Sequence, residues 1–160
     1  MKTSFPNCPA NTIMAVVVLA TVLVFTGCGP SMPEIVPVSG TITVNGEPYE
    51  SVEVKFYPLQ PGLDGNTIAT GVTDKDGKYT LSLPGKDTPG ACACECKVTI
   101  SEGPIPDAVR GSGNDQIAST RYLASLKNRP VPVIYTRMAD TPFTVTVSPD
   151  EETYDFDVKK

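Results

Sequence analysis

The 160-residue chain contains no histidine and no tryptophan. The first absence removes every Ser-His and Cys-His nucleophile pair and all imidazole metal ligands. The second removes the strongest aromatic platform for stacking sugars or bases. The chain also lacks a basic stripe: 13 Lys and Arg are interspersed with 18 Asp and Glu, for a net charge of −5. Nucleic acid is therefore not an expected partner. The apolar run from Ile13 to Phe25 has 13 residues, short of the ~20 that a membrane-spanning helix needs. What the chain does have is proline (16) and glycine (13), spread along it, with 40% hydrophobic residues. That composition supports a real core and suits short strands joined by turns.

Residues 1–28 read MKTSFPNCPANTIMAVVVLATVLVFTGC. Lys2 gives a weakly positive start, and the apolar run fits the centre of a secretion signal. The run ends in VFTGCGPS, where Gly27 directly precedes Cys28. This resembles the lipobox of bacterial lipoproteins, in which the cysteine thiol is acylated and the signal is cut before it. The resemblance implies that residues 1–27 are a cleaved lipoprotein signal peptide. Cys28 is then the lipidation site, carrying diacylglycerol and a further acyl chain such as palmitate. The family usually places Leu or another aliphatic residue three positions before the cysteine, and Phe25 stands there in this chain. Each buried methylene contributes ~0.8 kcal/mol, so two or three acyl chains hold a protein to a bilayer without a helix. Gly29 rather than Asp follows the cysteine, which in well-studied diderm bacteria leaves a lipoprotein free to reach the outer membrane. The implied location is the cell envelope, facing the periplasm or the outside, at the outer membrane rather than the inner one. Residues 28–37 carry Pro30, Pro33 and Pro37 without periodicity and read as a lipidated extended tether.

From residue 38 to residue 160 the pattern is that of strands. Ile42 and Val44 alternate with Thr41 and Thr43, and Asn45-Gly46 is a strong turn signal. Val52, Val54 and Phe56 share one face of the next strand, with Glu53, Lys55 and Tyr57 on the other. Tyr79, Leu81 and Leu83 share a face, as do Phe143, Val145 and Val147, and then Tyr154, Phe156 and Val158. About seven strands result, and they predict an all-β, antiparallel, two-layered domain over 38–160. Residues 102–141 are the irregular part. A short helix is expected in DQIASTRYLASLK, with Ile117, Leu123 and Leu126 on one side, and an extended course in NRPVPVIYTRMADTP, where prolines disfavour helix.

Two clusters invite a metal reading. Asp74 and Asp76, followed by Gly77, resemble the opening of a calcium loop. They lack a third acid at the right spacing and a distal bidentate Glu, and Asp-x-Asp-Gly also makes a tight hairpin turn. In GACACECKVTI, Cys92, Cys94 and Cys96 share parity with Val98 and Ile100, while Glu95 and Lys97 lie on the other face. The alternation puts the thiols toward the core, where cysteine behaves as a small hydrophobe. Same-strand cysteines two apart make poor disulfide partners unless the backbone is distorted. A soft-metal site of two or three thiolates, or a redox thiol, is the functional alternative.

Three stretches, VSGTITVNGEPYESVEVKFYP, GVTDKDGKYTL and CKVTI after a Pro-Gly, resemble the carboxypeptidase regulatory-like, transthyretin-like β-sandwich family found in many small bacterial envelope lipoproteins. The resemblance implies a seven-stranded immunoglobulin/transthyretin-like sandwich that accompanies other proteins and does no chemistry itself. No cofactor and no catalytic residue carry over. The expected function is that of a non-catalytic, lipid-anchored envelope module that contacts the membrane through Cys28 and another envelope protein through its surface. A carbohydrate-binding module is the alternative from a different class, with Tyr57, Tyr122 and Tyr135 as the aromatics left to serve it.

Overall fold

The computed structural model describes residues 32–85, 89–110 and 116–160. Their architecture is mostly β, in largely antiparallel sheets, with few helices. The strands are β1 (Ile35–Val36), β2 (Ser39–Val44), β3 (Glu47–Pro48), β4 (Val52–Pro58), β5 (Ala69–Val72), β6 (Lys78–Thr80), β7 (Ala91–Cys92), β8 (Glu95–Glu102), β9 (Thr144–Thr146) and β10 (Phe156–Val158). Three helical segments, α1 (Asp107–Arg110), α2 (Gln116–Ser125) and α3 (Val133–Thr136), lie between β8 and β9.

One four-stranded sheet runs β5-β4-β8-β9, antiparallel throughout. Its centre is the long β4–β8 pair, in register from Val52 opposite Glu102 to Pro58 opposite Cys96. The alternation in β4 is physical: Val52, Val54 and Phe56 are fully buried, while Glu53 and Lys55 face outward and pair with each other at 2.7 Å. Each such buried apolar side chain contributes ~1.5–3 kcal/mol. The second sheet is built on β2, whose Ile42 and Val44 are buried. β3 and β6 pair with it antiparallel, and β10 pairs with it parallel, Phe156 opposite Ile42 and Val158 opposite Val44. This parallel pair corrects the expectation of an all-antiparallel set. The chain returns to β2 across the loops that follow β9, so no hairpin dictates its direction.

The two sheets share one core. Phe56 of β4 meets the edges of Tyr154 and Phe156, each at 6.1 Å between ring centroids, a favoured arrangement for aromatic pairs. Tyr79, Leu81 and Leu83 are buried in the same cluster. At one edge the sheets are joined by a bridge, Thr70 to Ser82, with both backbone N–H groups donating at 2.9 and 3.0 Å.

Three local features depart from the sequence reading. The Asn45-Gly46 turn, with φ of 50° and 86°, closes a hairpin onto the two-residue β3 and not onto β4. Pro48 keeps β3 at the sheet edge, where a missing N–H costs least. The paired chain begins at Ile35 instead of Val38, because Ile35 and Val36 pair with Cys92 and Ala91. Gly90 permits that approach, since a Cβ there would lie 2.3 Å from the Val36 carbonyl oxygen. Finally, residues 133–136 are a helical turn and not extended. Pro130 and Pro132 precede that turn and so remove no hydrogen bond from it. Tyr135 is carried inward, 7% exposed, and stacks on Phe143 at 5.2 Å. The helix α2 does form, but Ile117 and Leu123 on it are exposed, 65% and 42%.

Candidate functional site: the cysteine bend

Cys28, the residue expected to carry lipid, lies outside the described residues. Asp74 sits in the turn between β5 and β6. Its Oδ1 accepts the backbone N–H groups of Asp76 and Lys78, both at 2.9 Å. The Gly77 N–H donates to the Asp74 carbonyl at 3.0 Å, and Gly77 has φ +74°. The Asp74 carboxylate is thus engaged in turn geometry, and Asp76 is an exposed neighbour. Among the described residues no group of three His, Cys, Asp or Glu is arranged to hold a metal ion.

The cysteine row is not one strand. Cys92 ends β7, which pairs with β1, and Cys96 lies in β8, which pairs with β4 and β9. Between them the chain bends at Ala93 and Cys94, because it must leave one partner and join two others. The Ala93 N–H donates to the Glu34 carbonyl at 2.8 Å, and the Val147 N–H donates to the Cys94 carbonyl at 2.9 Å. The Cys94 N–H turns back to the Cys92 carbonyl at 2.9 Å. Cys92 and Cys96 are fully buried, as parity predicts, whereas Cys94 is half-buried at the bend. No disulfide joins the three.

The bend brings Cys94 Sγ to 3.9 Å from Cys96 Sγ, and Cys96 Sγ is 3.6 Å from the Cys94 carbonyl oxygen. Burial pushes the Cys96 thiol well above the ordinary thiol range, with the neighbouring Cys94 adding to it. Burial also raises Cys94, against the lowering effect of its contact with Cys96. Both groups are therefore thiols, not thiolates, at neutral pH.

The aromatics expected to serve a glycan platform do not converge. Tyr135 is in the core, and its hydroxyl accepts the Lys159 N–H at 3.1 Å. The Tyr122 hydroxyl is 2.6 Å from Ser51 Oγ. Tyr57 is half-buried on the outer face of β4.

One cluster gave no signal in the sequence. Arg129, at the start of a proline-rich stretch, pairs with Glu102 and donates to the carbonyls of Glu50 and Ser51 at 2.6 and 2.7 Å. Glu102 in turn accepts the Val131 N–H at 2.7 Å. The Tyr49 hydroxyl donates to the Asn128 carbonyl at 2.7 Å. Together these bonds pin the irregular segment to the ends of β4 and β8. A cleft of about 490 Å³ opens beside them, lined by Glu102, Gly103, Ile105, Leu123, Arg129 and Pro130.

The chain matches no family model, no curated protein and no solved structure in the comparisons made.

Proposed function

We propose that this protein is a lipid-anchored cell-envelope module with no catalytic role, built on a seven-stranded, transthyretin-like sandwich. The observation that carries the reading is the position of Cys28. It follows the apolar run and Gly27, and it precedes by seven positions Ile35, the first strand residue among those described. A tether of that length spans at most ~25 Å when extended, so acylation at Cys28 holds the domain near a bilayer. The engagement of Asp74, Glu102 and the buried Tyr49, Tyr79, Tyr135 and Tyr154 in turns and packing supports a scaffold role over an enzymatic one. The resemblance of residues 38–58, 71–81 and 96–100 to transthyretin-like modules, with two sheets around one core, supports the sandwich. The exposed apolar side chains of Val133, Ile134 and Met138 favour a protein partner over a sugar.

Intact mass spectrometry of the protein extracted from membranes tests the anchor. The expected species begins at Cys28 and carries two or three acyl chains, and a Cys28→Ser variant leaves the membrane fraction. A chain that keeps residues 1–27, or lacks acyl mass while remaining with the membrane, overturns the proposal.

A further inference from the structure

We propose that Cys94 and Cys96 are an intrachain redox pair that closes to a strained, easily reduced disulfide where the bend after β7 enters β8. The inference stands on the bend and not on the anchor, so the two readings fail separately.

In a regular strand, Cα atoms two positions apart are ~6.5 Å from each other and their Cβ atoms run parallel. A disulfide needs the Cβ atoms ~3.8 Å apart, which is why such cysteines do not join in a flat strand. Here the strand is not flat. The Cys94 N–H folds back to the Cys92 carbonyl, and the two sulfurs already lie 3.9 Å apart. Closing the remaining gap takes side-chain rotation at the start of β8, where Glu95 and Cys96 are already paired with β9 and the backbone turns only at Ala93 and Cys94. The resulting ring spans only Cys94, Glu95 and Cys96, too few residues to relax to preferred disulfide geometry. Strained disulfides are the more readily reduced ones, with more oxidising potentials.

The two sulfurs differ in access. Cys94 is half-buried and Cys96 is fully buried, so Cys94 is the outer, attacking thiol and Cys96 the resolving one. Cys94 as thiolate attacks one sulfur of a small disulfide such as oxidised glutathione. That S–S bond breaks, a mixed disulfide forms on Cys94, and one glutathione leaves as thiolate and takes up a proton. The Cys96 sulfur then attacks Cys94 Sγ, the Cys96 proton passes to the departing glutathione sulfur, and the second glutathione leaves as thiol. Two protein thiols are oxidised to one disulfide, and one small disulfide is reduced to two thiols. Cys92 takes no part in this pair: it is fully buried, in β7. The raised thiol range at Cys94 makes the first step slow at neutral pH and faster, about tenfold per pH unit, as the medium becomes alkaline.

The test uses the full protein, extracted in detergent, reduced, and freed of reductant. It is incubated in glutathione buffers of graded oxidised fraction, quenched in acid, unfolded and alkylated, and the 87–97 tryptic peptide is sequenced by mass spectrometry. The expected peptide has lost two hydrogens, carries the alkyl label on Cys92 alone, and reverts when reduced glutathione is added. A Cys96→Ser variant is expected to stop at the glutathione adduct on Cys94. A lasting glutathione adduct on Cys94 in the wild type, a link through Cys92, a disulfide between chains, or full alkylation of all three thiols at every buffer ratio each overturns the proposal.

Discussion

The guanidinium carbon of Arg129 lies 5.2 Å from the centroid of the Tyr49 ring, which is itself 1% exposed. Tyr49 forms the base on which a distant loop is clamped, and Arg129 holds it through three further polar contacts, to Glu102 and to the carbonyls of Glu50 and Ser51. Hydrogen bonds to a charged group contribute ~1.5–3 kcal/mol, and stacking on an aromatic face adds ~0.5–1 kcal/mol. An Arg129→Ala variant is therefore expected to lose about 3 kcal/mol in urea unfolding. Arg129→Lys should recover less than half of that, because an ammonium cannot present the planar fork to Glu102 and the two carbonyls at once. An unchanged midpoint for Arg129→Ala would mean that the clamp contributes nothing to folding.

Acid stability should depend on Asp157. Its carboxyl is held down to about 2 by Lys159, by the Gly46 N–H and by the Thr43 hydroxyl. The folded value lies below the ordinary 3.8, so the unfolded chain binds the proton first as pH falls. The stabilisation is complete above about pH 4 and is lost as pH falls toward 2. Denaturation midpoints followed from pH 5 to pH 2 should drop less steeply in Asp157→Asn than in the wild type. Parallel acid limbs in the two proteins would remove Asp157 from the account.

Alkaline stability should depend on Tyr79. Its hydroxyl donates to the Tyr154 carbonyl at 2.7 Å, close to Gly40, where a Cβ would lie 1.9 Å from that same oxygen. Burial, with Asp155 and Tyr154 nearby, pushes the phenol far above its ordinary 10. The folded state keeps the proton that the unfolded chain releases, so this contribution is present below pH 10 and is lost above it. A spectrophotometric titration should show Tyr79 ionising only together with unfolding. Tyr79→Phe, which leaves the buried carbonyl without its donor, should cost ~1–3 kcal/mol at neutral pH. A reversible phenol ionisation near 10 in the folded protein that disappears in Tyr79→Phe would show that the bond does not persist in solution.

The strands that could be read from sequence are those whose alternation is local. Val52, Val54 and Phe56, or Tyr154, Phe156 and Val158, announce a buried face by themselves, and each is buried. The cysteine row shows the limit of that logic. Parity runs unbroken from Cys92 to Ile100, yet the backbone changes partners at Ala93 and Cys94, and a change of partners leaves no trace in side-chain type. The prolines around Tyr135 point to an extended course, whereas a single helical turn after Pro132 rotates its ring onto Phe143. Arg129 was invisible because its partners, at Glu50, Ser51 and Glu102, are brought to it only by the fold. The parallel docking of β10 was equally hidden, since strand direction between elements far apart in sequence is a property of topology alone.

That last pairing sets an order on assembly. β2 is among the earliest strands to be synthesised, and its neighbour β10 joins it across a separation of 114 residues. Long-range pairing of this kind slows folding, and here it also postpones it: one edge of β2 stays open until residue 158 has emerged. A chain stopped short of Phe156 would therefore expose that edge to any other unfinished copy nearby.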